Sequence, residues 1–93
     1  MAKNKSQKAQ LIGTNIRLAR QHAEMSQLEL AHAIGMKGPG AMSYISRIEM
    51  GIHEPRISTV LRLAKGLNVS PQVLVSEVFS LKIGSIGFPV KIN

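Results

Sequence analysis

The stretch from Ser26 to Pro55, SQLELAHAIGMKGPGAMSYISRIEMGIHEP, constrains the fold more than any other part of the chain. Ser26-x-x-Glu29 is a capping box, in which hydroxyl and carboxylate each satisfy a free backbone N–H of a first helical turn. Leu30, Ala31 and Ile34 then supply an inward stripe, and Gly35 is a natural C-terminal stop. Lys37-Gly38-Pro39-Gly40 cannot continue a helix, so the chain must turn there. Helical patterning resumes at Ala41 or Met42 and runs to Met50, where Gly51 ends it. A short helix braced by another across a glycine-bearing turn is a device for placing side chains in the DNA major groove.

The flanks read as further helices. From about Ala9 to Glu24, the apolar residues Ile12, Ile16, Ala19 and Ala23 recur at helical spacing. Arg17 falls on the outer face of this first helix and Arg20 at the edge of its apolar stripe. A fourth helix is predicted over 57–67 with Val60, Leu61 and Ala64 buried. Ser70-Pro71 opens a fifth, with Ser as N-cap and Pro at the first helical position, expected to continue to about Lys82. The fifth carries a core face of Leu74, Val78 and Leu81 and an adjacent apolar strip of Val75 and Phe79. The expected organisation is a flexible basic arm over 1–8 (Lys3, Lys5, Lys8), a helical domain over 9–82 and a tail over 83–93. In the tail Ile86, Phe88, Val90 and Ile92 alternate as in a strand, and Pro89 confines such a strand to an edge. The fold class is therefore all-α, a compact five-helix domain with a short C-terminal strand as an addition. A disordered terminus reads the tail equally well.

Composition narrows the partners. Three aromatics (Tyr44, Phe79, Phe88) against a hydrophobic fraction of 44% leave an aliphatic core, which suits packed helices. Cysteine is absent, which excludes disulfides, iron–sulfur clusters and thiolate zinc sites. The apolar runs are too short to cross a bilayer, and the N-terminus lacks a signal-peptide core. A cytoplasmic, nucleoid-associated chain is expected, without a membrane partner. Twelve Lys and Arg against five Asp and Glu give a net charge of +7, which favours polyanions, nucleic acid first and an acidic membrane surface second. An inert basic surface is the plainer alternative. His22, His32 and His53 lack metal-ligand spacing, and neither a phosphate-binding loop nor a nucleophile elbow occurs. No metal, cofactor or catalytic activity is expected.

Set about the helix axis at about 100° per residue, Ala41, Ile45, Ile48, Glu49 and Ile52 share one face of the third helix. Ser43, Arg47 and Met50 point the opposite way, with Met42 and Ser46 on the flanks. Arg can bond a guanine edge bidentately, Ser a base or phosphate, and Met a thymine methyl. The same face is also compatible with a merely solvated helix surface. Glu49 on the inward side needs a partner, because an unpaired buried carboxylate is costly. Arg20 is the natural one, and the pair would clamp the first helix to the third. Gln27 stands at the start of the second helix, where free N–H groups favour a phosphate and the amide can reach backbone or a base edge; an exposed helix-start residue is the alternative.

These residues carry a resemblance. Residues 11–79 resemble the Cro/phage-repressor helix-turn-helix family, also called the XRE family, through IGTNIRLAR (12–20), SQLELAHAIG (26–35), SYISRIEMG (43–51) and Pro55 followed by RISTVLRLAKGLNVSPQVL (56–74). The resemblance implies a homodimer on double-stranded operator DNA, with no catalysis. It places Gln27, Met42, Ser43 and Arg47 at base- and backbone-contacting positions, with Tyr44 and Ser46 beside them. Arg56 falls at a position near the minor groove or backbone at the dimer axis. Arg20 and Glu49 match the family's internal ion pair. One departure is plain: Met36 to Ala41 separate Gly35 from Met42, an enlarged turn where the family usually has about two residues. Lys37 on this loop reaches a phosphate, or the loop is a surface insertion of small entropic cost. Direct base readout is then thin at Met42, and DNA shape gains weight.

Val75, Phe79, Ile86 and Phe88 are the expected dimer surface, since a small domain with a spare apolar strip usually hides it in a partner. The same strip and tail suit an antitoxin-like module that binds a protein partner while still binding DNA. A binder of RNA or of a membrane surface rests on charge alone, and scarce aromatics argue against single-strand stacking.

Overall fold

The computed structural model describes residues 6–77, which form five helices: α1 (Gln7–His22), α2 (Gln27–Ala33), α3 (Ala41–Glu49), α4 (Ile57–Leu67) and α5 (Pro71–Val75). No strand occurs among the described residues. The architecture is the all-α one that the periodicities predict. The tail over 83–93, with Ile86 and Phe88, lies outside the described residues, as do Val78, Phe79 and Leu81.

Local chemistry explains most boundaries. The Ser6 hydroxyl accepts from the Ala9 N–H at 2.9 Å and starts α1 two residues earlier than periodicity suggests. Lys8 is therefore in a helix rather than in an arm, and its ammonium lies 3.4 Å from Glu54. At the other end Ala23 caps α1 and is exposed, because Glu24 turns the chain with φ 59°. The capping box of α2 is complete: Ser26 Oγ accepts from the Glu29 N–H at 2.9 Å, and the Ser26 N–H donates to Glu29 Oε1 at 2.8 Å. Gly35 (φ 89°) and Gly38 (φ 93°) take up the left-handed conformations of the enlarged turn.

Three expectations fail for identifiable reasons. Leu61 is 51% exposed, and Leu63 fills the core instead. The buried row of α4 is Val60, Leu63, Ala64 and Leu67, spaced 3-1-3, which leaves position 61 about 100° off the seam. Ile52 is 55% exposed, because α3 ends at Glu49 and Gly51 (φ 79°) turns the chain before the helical face can extend to it. The fifth helix is interrupted after Val75 instead of running unbroken, with Ser76 extended (φ −97°, ψ 132°) and Glu77 helical again; the rest of the expected helix, to Lys82, lies outside the described residues. Asn15 supplies the reason: its fully buried amide donates to the carbonyls of Leu74 and Ser76, each at 3.0 Å. A buried amide needs such partners, and these two replace continued helical bonding.

α1 packs on α3 and α5, α2 on α3 and α4, and α4 on α5. Ile16, Leu30, Ile45, Ile48, Leu63 and Leu74 meet at the centre with no exposed surface. Burial of each such side chain is worth about 1.5–3 kcal/mol. α1 and α3 approach so closely at Gly13 that an added Cβ would collide with the Ile48 carbonyl and lie 2.8 Å from that of Glu49.

Candidate nucleic-acid interface

α3 is amphipathic in the sense the sequence requires. Ala41, Ile45, Ile48 and Glu49 are buried, whereas Met42, Ser43, Arg47 and Met50 are exposed. Ser46 is half-buried and donates to the Met50 sulfur at 3.5 Å. Tyr44 turns to the other flank, half-buried against the core, where its ring meets that of His53 with centroids 5.3 Å apart.

The position of α3 is set by one polar cluster at its C-terminal end. Arg20 Nε donates to Glu49 Oε2 at 2.6 Å and Arg20 Nη2 to Glu49 Oε1 at 3.0 Å, a bidentate fork whose side chains are 13% and 3% exposed. The third guanidinium nitrogen, Nη1, donates to the Met25 carbonyl at 2.8 Å, in the link between α1 and α2. The Gln27 amide donates to Glu49 Oε1 at 3.0 Å from the start of α2. Bidentate charge-assisted bonds are both strong and directional. Four segments, α1, the α1–α2 link, α2 and α3, are thus tied through one carboxylate and one guanidinium.

Gln27 is half-buried and its amide is held by Glu49, so it is not the exposed helix-start residue of the alternative reading. An ionised carboxylate only accepts, so it is the Gln27 NH₂ that faces Glu49. The sequence carries a faint signal for this, since each oxygen of a buried carboxylate such as Glu49 can accept more than one hydrogen bond. Asn15 and Gly13 were missed as structural determinants. Their signals were a polar residue and a glycine inside an otherwise helical stripe.

The remaining sequence-predicted cations lie on other elements. Arg17 is exposed on α1, Lys37 in the α2–α3 turn and Arg56 at the start of α4. Among the described residues Lys8–Glu54 and Arg20–Glu49 form ion pairs, and no carboxylate pairs with Arg17, Lys37, Arg47 or Arg56. Of the expected dimer residues Val75 is described; it is 46% exposed and borders a cleft with Leu11, Thr14 and Glu77.

Two helices joined by a glycine turn, the second seated by its apolar face and locked by a buried ion pair while its other face stays open, define a helix-turn-helix domain. The chain belongs to the helix-turn-helix family, of the XRE type, whose profile matches residues 16–74. Two proteins from different strains of Mycobacterium tuberculosis, each named an uncharacterized HTH-type transcriptional regulator, are 36% identical to it over 62 residues, covering 67% of this chain. The chain spans 41% of the length of those relatives. The crystal structure of a hypothetical transcription factor, NHTF, from Neisseria superimposes with a TM-score of 0.70 at 24% identity, covering 89% of this chain and 92% of that one. That likeness is one of fold.

Proposed function

We propose that this protein is a sequence-specific DNA-binding transcription regulator that grips an inverted-repeat operator as a homodimer. The observation that carries the reading is the division of α3 into a locked side and an open side. Glu49 and the isoleucines fix the helix to the domain, while the side chains of Arg47 and Ser43 are left with no protein partner among the described residues. A guanidinium so placed can take the O6 and N7 of a guanine together, and the neighbouring hydroxyls can take a base or a phosphate. Met42 and Met50 offer apolar contact to thymine methyls. Gln27, with its NH₂ turned to Glu49, positions α2 against α3 and keeps its carbonyl for a base-edge donor. Arg17, Lys37 and Arg56 neutralise phosphates, and the net charge of +7 adds long-range attraction.

A two-fold dimer would place two copies of α3 one DNA turn apart, about 34 Å. Exposed Val75 at the end of α5 supports an apolar contact there. Selection of bound duplexes from a random pool by the full chain tests the reading. The expected product is an inverted repeat with half-sites about one helical turn apart, bound with an affinity that falls steeply with salt. Salt-sensitive binding with no enriched sequence would refute it.

A further inference from the structure

Residues four apart on a helix are neighbours, so Met42, Ser46 and Met50 form a single ridge along α3. Met42 is 51% and Met50 52% exposed, and the Ser46 hydroxyl between them donates to the Met50 sulfur at 3.5 Å. The other described methionines, Met25 and Met36, are half-buried against the core. The chain has no cysteine, so its oxidisable sulfur is thioether alone. Among the described residues, the two most open thioethers both stand on the helix that the proposed function assigns to base reading.

We propose that Met42 and Met50 form a reversible oxidation site through which a hydroperoxide switches off sequence-specific DNA binding. The proposal rests on the DNA-reading function above. In the chemical step a sulfur lone pair attacks one peroxide oxygen. The S–O bond forms as the O–O bond breaks, and the proton of the transferred oxygen leaves with the departing hydroxide as water. Sulfur loses two electrons and the peroxide gains them. The product, methionine sulfoxide, is polar where the thioether was apolar, and reductases return it to methionine.

Two consequences follow from the ridge. Each sulfoxide loses the apolar surface that would meet a thymine methyl. Each also places a strong acceptor beside Ser46, where the thioether is a weak one, so the hydroxyl is held on the protein instead of being offered to DNA. The geometry orders the two sites as well. One of the two lone pairs on the Met50 sulfur is engaged by Ser46, whereas no donor meets the Met42 sulfur among the described residues. Met42 therefore reacts first, and Ser46→Ala brings Met50 up to its rate.

The test starts with duplexes that the reduced full chain enriches from a random pool. The protein is then titrated with hydrogen peroxide, mapped by peptide mass spectrometry and assayed on those duplexes, with helical circular dichroism as the control for folding. Oxidation should reach Met42, then Met50, before Met25 and Met36. Affinity should fall about five- to tenfold, the scale of one lost base contact, with an unchanged helical signal, and methionine sulfoxide reductase should restore it. The Met42→Leu/Met50→Leu variant, which lacks the two oxidisable sulfurs, is measured before and after peroxide, and whatever affinity it has before treatment it should keep after it. Uniform oxidation of Met25, Met36, Met42 and Met50, unaltered affinity after oxidation, a loss that tracks unfolding, or an equal loss in the double variant would each overturn the switch alone. A pool with no enriched sequence would overturn the DNA-reading function, and the switch with it.

Discussion

Glu49 shows how much one side chain can decide. It accepts from Arg20 twice and from Gln27 once, and it is almost wholly buried. Removing it leaves a guanidinium that is largely out of water without its counter-charge. Glu49→Ala is expected to cost about 3–5 kcal/mol in urea unfolding. The paired replacement Arg20→Met/Glu49→Leu should cost less than Glu49→Ala, because no buried charge is then stranded; a double variant worse than either single change would contradict this. Arg47 is the opposite case. Its side chain is exposed and bonds to nothing among the described residues, so Arg47→Ala should leave stability within about 0.5 kcal/mol. On DNA it should relax preference at one base position by about 1–3 kcal/mol. An unchanged site profile would remove Arg47 from the reading set.

The helices and turns respond to glycine in two distinct ways. Gly13 sits mid-helix with ordinary dihedrals, yet the Ile48 and Glu49 carbonyls occupy the space a Cβ would need. Gly13→Ala must push α1 away from α3, and a penalty of about 1–3 kcal/mol is expected, as for other overpacked sites. Because that shift also moves the Arg20–Glu49 fork, DNA affinity should fall more than stability alone explains. Gly38 in the α2–α3 turn has open space around it but a φ of 93°. Gly38→Ala should cost about 1–2 kcal/mol from backbone strain alone, measurable by thermal unfolding. The same turn carries Lys37. If the enlarged loop serves DNA, Lys37→Ala should weaken all sequences alike and lower the salt slope by about 0.9. An unaltered slope would make the loop a surface insertion only.

For the molecule as a whole, charge and symmetry set the behaviour. A net charge of +7, with Arg17, Lys37, Arg47 and Arg56 lacking carboxylate partners among the described residues, predicts tight, strongly salt-dependent association with duplex DNA. Dimerisation of the kind proposed would make that association depend on protein concentration as well. Val75→Glu puts a charge on the exposed apolar end of α5. Sedimentation should show it as a monomer at concentrations where the parent chain is a dimer, with operator binding weakened accordingly. A parent chain that is already monomeric on its selected duplex would defeat the two-fold reading.

Ordering the elements took only local signals. The capping box at Ser26, the Ser70-Pro71 start, the glycine stops and the spacing of Ile45 and Ile48 are interactions within a few residues, so they are visible in one dimension. The Arg20–Glu49 pair was legible as well, because a carboxylate on an apolar face has few alternatives to a nearby cation. Tertiary packing alone decided the rest. Gln27 turned inward because Glu49 Oε1, already bonded to Arg20, can accept a second hydrogen bond, and α5 is interrupted after Val75 where a buried Asn15, sixty residues away in sequence, claims the carbonyls of Leu74 and Ser76. Leu61 and Leu63 are equally apolar, and only the direction from which α2 and α5 press on α4 selects which of them is buried. Local periodicity specifies that a face exists; the neighbour that covers it, and the orphaned polar groups it must satisfy, are properties of the assembled chain.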